Sequence, residues 1–142
     1  ISDHLVHGAH TVWVVDPKIA PLDTTATGGC AVRHIAAKYQ AVDFSGLSRP
    51  YALVMLGYSM KPHGRSAAVD PKLLSLVDGA GRVIIEWANA LERATSQVPA
   101  LLSRPGFATI CRMTSRIEDG VIDRTPYAER TFVVLDRVRK RS

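Results

Sequence analysis

The sequence predicts an α/β domain: a mostly parallel sheet, doubly wound with helices on both faces, closing on a C-terminal antiparallel strand pair. Three observations predict it. The runs Thr11-Val12-Trp13-Val14-Val15, Tyr51-Ala52-Leu53-Val54-Met55-Leu56 and Arg82-Val83-Ile84-Ile85-Glu86-Trp87 have continuous apolar centres, which suit strands buried on both faces. Segments of helical spacing flank the third run. The chain then changes character, and residues 107–117 and 130–138 read as two longer strands around the turn-forming Glu118-Asp119-Gly120, paired antiparallel at one end of the sheet.

Taken in order, residues 1–9 read as the end of a helix, with Leu5 and Val6 on its inner side and Gly8 as a stop. The Thr11 strand closes at Asp16-Pro17. Residues 16–29 carry Pro17, Pro21, three threonines and two glycines, a loop composition. Residues 30–44 fit two patterns, a helix face of Val32, Ile35, Ala36, Tyr39 and Val42 or a strand finishing in Ala41-Val42-Asp43-Phe44; we read the later part as strand. The Tyr51 run follows Arg49-Pro50 and ends at Gly57. Asp70-Pro71 opens a helix, because the aspartate accepts from free amides and proline loses no bond at the first helical position. Leu73, Leu74, Leu76 and Val77 form its apolar stripe, and residues 79–81 end it. After the third run, Asn89 and Glu92 have capping-box spacing for a helix that turns Leu91, Ala94, Val98, Leu101 and Leu102 inward, with a kink or break at Pro99.

A chain of 142 residues with 46% hydrophobic content has the size and composition of one domain with one core. No stretch approaches the roughly 18 apolar residues of a membrane span, and no signal-peptide pattern is present, so a cytoplasmic globular protein with no membrane partner is expected. Cys30 and Cys111 lie far apart and form no CxxC pattern, which reads as buried free thiols. Of the net charge of +5, residues 136–142 contribute +3 through Arg137, Arg139, Lys140 and Arg141 against Asp136. Such a basic tail allows weak nucleic-acid contact.

The element order, strand, loop, strand, strand, helix, strand, helix and antiparallel pair, resembles the class I (Rossmann-like) S-adenosylmethionine-dependent methyltransferase core from its second strand onward. Val12 to Asp16 looks like that family's second strand, which ends in an acidic residue on the ribose hydroxyls. Ser2-Asp3-His4-Leu5-Val6-His7-Gly8-Ala9 is similar to the helix after the family's glycine-rich loop, and Ala41-Val42-Asp43-Phe44 to its third strand. Asp78-Gly79-Ala80-Gly81 leading into Arg82 is similar to the entry of the fifth strand, and Arg104-Pro105-Gly106-Phe107 to that of the sixth. The glycine-rich motif is not in this sequence and is expected upstream of Ile1 or on another chain.

The resemblance implies S-adenosylmethionine as cofactor and methyl transfer to an unidentified acceptor, small-molecule or macromolecular. It places Asp16 on the ribose and Asp43 near the adenine, with Phe44, Leu56 and Gly57 beside the cofactor. It also places the acceptor at the segment from Gly57 to Gly64, where Tyr58 and His63 would position it or take its proton. A carboxylate suits a ribose diol because it accepts two hydrogen bonds, and carboxyl edges are where open α/β sheets bind ligands. A non-catalytic scaffold or RNA- or protein-interaction domain of the same type is the alternative. His4, His7 and His10 recur at a metal-like spacing, but His10 falls beyond Gly8 and no other ligand set completes a shell, so no metal is expected. Glu86-Trp87 reads as the edge of the core, where a tryptophan beside a pocket can stack on a planar ligand. No Gly-x-Ser-x-Gly elbow presents a hydrolase nucleophile.

Overall fold

The computed structural model describes residues 11–17, 24–25, 29–47, 49–57, 70–89, 97–116 and 128–139. The chain divides into two compact units, residues 1–47 and 48–142. In the first, β1 (Thr11–Val15), β2 (Thr24–Thr25) and β3 (Ala31–Ile35) form a sheet of order β1-β3-β2. β1 and β3 run parallel, from Thr11 opposite Ala31 to Val15 opposite Ile35, and β2 lies antiparallel to β3. The strand expected late in residues 30–44 therefore forms early. Val32 and Ile35 are the branched residues that suit a pleated strand, while Tyr39–Ala41 turns as a 3-10 helix.

The second unit holds β4 (Tyr51–Leu56), α1 (Pro71–Asp78), β5 (Ala80–Ala88), α2 (Gln97–Leu102), β6 (Phe107–Arg116) and β7 (Glu129–Arg137). Its sheet has the order β4-β5-β7-β6. β4 is parallel to β5, β7 is antiparallel to β5, and β6 is antiparallel to β7 with a bulge between Thr109 and Cys111. α1 forms as its sequence signals require. The Asp70 carboxylate accepts from the Lys72 amide at 2.9 Å, Pro71 opens the first turn, and Leu73, Leu76 and Val77 are buried. The helix packs on β5. It stops at Gly79, where a Cβ would stand 3.2 Å from the Tyr51 ring, so a side chain there would displace that ring.

Register sorts the second sheet into two unlike faces, because directly opposed residues point to the same side. One face carries Val83, Ile85 and Trp87 of β5 with Val133 and Leu135 of β7, all buried. The other carries Met55, Ile84, Val134 and Phe132, and its Met55 and Met113 are 43% and 55% exposed.

The doubly wound, mostly parallel α/β sheet with helices on both faces is corrected by this arrangement. The described residues are mainly strand, in two sheets, with two short α-helices, and two of the three pairings in the larger sheet are antiparallel. Burial on both faces also fails for the first runs, since Trp13 is 46% exposed. A continuous run of branched and aromatic residues reports strand propensity; whether a second layer covers it depends on segments far away in the chain. Cys30 is buried as expected, whereas Cys111, beside the bulge on the edge strand, is exposed. The expected helix end at residues 1–9, the cap partner Glu92 and most of the loop after Pro17 lie outside the described residues.

Ion pairs tie the start of β5 to its neighbours. Arg104 donates to both oxygens of Asp78 at 2.8 and 2.5 Å, and Arg82 does the same to Asp136 at 2.6 and 2.9 Å. The Arg104 hydrogen bonds, aided by the charges of Arg104 and Arg137 and opposed by partial desolvation, hold the Asp78 carboxyl below its ordinary 3.8. A carboxyl depressed by folding stabilises the fold fully above its unfolded value, and that contribution fades as pH falls below about 4 toward the folded pKa. We expect Arg104→Ala to move the Asp78 titration upward in carboxyl-detected NMR. A titration unchanged by the substitution would show that the pair is not formed in solution.

Candidate functional site at the carboxyl edges of the parallel strands

Parallel pairing brings the carboxyl ends of two strands to one edge, and the polar residues that follow them meet there. At β1 and β3 this places Asp16 directly after the last pair, Val15 opposite Ile35. The Asp16 amide donates to the Ile35 carbonyl at 3.2 Å, and His34 Nε2–H donates to the Asp16 carbonyl at 2.9 Å. The main chain of Asp16 is thus anchored from both sides, which fixes the position of its partly buried side chain. Asp43 stands differently. β3 ends at Ile35, so Asp43 does not close a strand; it is exposed, and its Oδ1 accepts from the Ser45 amide at 2.9 Å, a local turn contact. Phe44 beside it is partly buried.

At β4 and β5 the last pair is Leu56 opposite Ile85, so Gly57 and Glu86 come next to each other at the same edge. A Cβ at Gly57 would stand 3.8 Å from Glu86 Oε2. Leu56 is buried, and strand alternation sets its side chain on the Ile85 face, away from Glu86. Glu86 Oε1 accepts from Arg130 Nη1 at 2.8 Å, with side chains only 15% and 7% exposed. On the opposite face, Thr131 donates its hydroxyl to Asn89 Oδ1 at 2.5 Å, Asn89 Nδ2 donates to Glu129 at 2.6 Å, and the Thr114 and Thr131 hydroxyls lie 3.2 Å apart. Trp87 is buried under the Arg112 guanidinium, 5.5 Å from its ring centre, and its Nε1–H has no hydrogen-bond partner among the described residues.

The end of the second sheet thus carries a buried charge pair, Glu86 with Arg130, on one face and the buried Trp87 indole donor on the other. The sequence reads Glu86-Trp87 as core edge and Asn89 as a helix cap; the Asn89 amide bonds Glu129 and Thr131 of β7, and residues 90–96, which the cap would serve, lie outside the described residues. The available signal was a lone acid at the end of an apolar run. Its partner lies on another strand and becomes visible only through the β5–β7 register.

Of the residues implied by the resemblance, Asp16, Asp43 and Phe44 belong to the first unit, and Leu56 and Gly57 to the second. Tyr58 and His63 lie outside the described residues, as do His4, His7 and His10. Among the described residues no cluster of His, Cys, Asp or Glu could hold a metal ion, and no helix is long and apolar enough to cross a membrane. No family model matches the chain, and no curated protein or solved structure is detectably similar to it.

Proposed function

We propose that the chain belongs to an S-adenosylmethionine-dependent methyltransferase acting on an unidentified acceptor. The observation that carries this reading is a carboxylate at the carboxyl edge of a parallel pair within the first unit: Asp16 directly follows Val15 opposite Ile35. Asp16 fits the cofactor's ribose, since a carboxylate on an anchored main chain can accept from both hydroxyls. Asp43 fits less well, because its Oδ1 already serves its own turn. When bound, S-adenosylmethionine supplies an electrophilic methyl group, and what the chain adds is position.

Calorimetric titration of the full-length protein with S-adenosylhomocysteine tests this. We expect saturable binding, weakened about tenfold or more by Asp16→Ala, as the loss of a charge-assisted hydrogen bond predicts. Binding that ignores Asp16 removes the residue from the site, and no binding at millimolar ligand rejects the methyltransferase reading. A second reading, a non-catalytic module that touches RNA through its basic end, is favoured by the arginines gathered where β7 finishes.

A further inference from the structure

At the edge of the second sheet where β5 begins and β7 ends, an open groove is lined by Arg82, Gly106, Asp136, Arg137, Val138 and Arg139. Three of these are arginines, and the one acid is already held by Arg82 through two hydrogen bonds. Arg137 is built into the floor. Its Nε donates to the Ala80 carbonyl at 3.0 Å, its Nη2 to the Asp78 carbonyl at 2.5 Å, and its guanidinium lies 4.6 Å over the Phe107 ring. Those contacts occupy Nε and Nη2 and leave Nη1 toward Gly106, where a Cβ would stand 4.0 Å from it. Gly106 has φ +84°, a conformation that favours glycine, so this side of the guanidinium stays open. Val138 continues alongside, its amide donating to the Gly106 carbonyl at 2.9 Å. Arg139 is exposed, and in sequence Lys140 and Arg141 follow.

A guanidinium that is fixed before binding loses little freedom when it meets an anion, and its flat fork matches phosphate oxygens. A series of such charges along one chain end fits a linear polyphosphate better than a single anion, because each neutralised phosphate releases counterions. We propose that this groove binds the phosphate backbone of single-stranded RNA, with Arg137 as the anchored contact and Arg139 as the adjustable one. The proposal deepens the RNA-contact reading, gives it a site, and is independent of methyl transfer.

The test is fluorescence anisotropy of the full-length protein with a short labelled single-stranded RNA, between about 50 and 200 mM salt. We expect Arg139→Ala, which removes no hydrogen bond or ion pair among the described residues, to weaken binding several-fold and to reduce the salt slope by about 1. Arg137→Ala should weaken it further if the variant remains folded by circular dichroism. Arg33→Ala makes the same change in net charge on the exposed side of β3 and should have less effect. Equal losses from Arg33→Ala and Arg139→Ala would mean diffuse charge and overturn the groove. Loss on deleting residues 140–142, with Arg139→Ala unchanged, would overturn it as well while leaving the RNA-contact reading in place. Binding to phosphatidylserine vesicles without binding to RNA also rejects it. None of these results bears on the S-adenosylhomocysteine titration.

Discussion

Leu135→Ala is expected to destabilise the protein by about 2–5 kcal/mol, a large share of the roughly 5–15 kcal/mol that holds a typical domain together. Leu135 is 0% exposed, and in register it faces Val83 on one side and Thr109 on the other. Truncation removes apolar contacts in a layer whose strands on both sides are hydrogen-bonded in place, so the cavity can collapse only in part. Equilibrium urea unfolding measures the change. Met113→Ala, on the opposite face, is the internal comparison and should stay within about 0.5 kcal/mol. If the two cost the same, the contrast between a buried Leu135 and an exposed Met113 does not hold in solution.

Arg130→Met should cost about 3–5 kcal/mol, because it leaves the Glu86 carboxylate without its charged partner in a poorly hydrated place. Replacing both residues, Glu86→Leu with Arg130→Met, is expected to cost less than the single change, since no orphaned charge remains. The double-mutant cycle, read by the same unfolding measurement, gives the coupling between them. A single variant within 1 kcal/mol of the parent, or a double variant that is simply the sum, would show that water reaches the pair. The result also bears on function. A buried charge pair is weak support for stability, so a tightly coupled one at the edge of β4 and β5 would strengthen the case that Glu86 is kept there for binding.

How much of this was legible depends on the distance over which each feature is decided. The cap at Asp70-Pro71, the stripe of Leu73, Leu76 and Val77, and the strand positions around Val14, Val54 and Ile85 follow from residues within a turn or two of each other. Propensity and side-chain spacing act over that range, and these elements form where the residues place them. The closing antiparallel pair was legible from two long strand-like segments separated by the turn-forming Glu118-Asp119-Gly120 and a further loop, which have few other ways to satisfy their backbones. The strand at Ala31–Ile35 was harder, because its residues also fit a helix face; parallel pairing with β1 decided it.

The candidate site divides along the same line. Asp16 could be singled out from its place at the end of an apolar run. Asp43 was singled out with it on the expectation of a strand end that the structure moves back to Ile35. Glu86 with Arg130, Asn89 with Thr131, and the arginine groove at Arg137 join residues distant in sequence, and only strand order and register put them together. By itself, then, the sequence determined the strands at Thr11–Val15, Tyr51–Leu56 and Ala80–Ala88, the helix at Pro71–Asp78 and the acid that follows β1, since those depend on local energetics. The tertiary structure alone decided which faces are covered, which charges are paired and which remain open to a ligand, because burial and pairing are set by chain segments that no local pattern specifies.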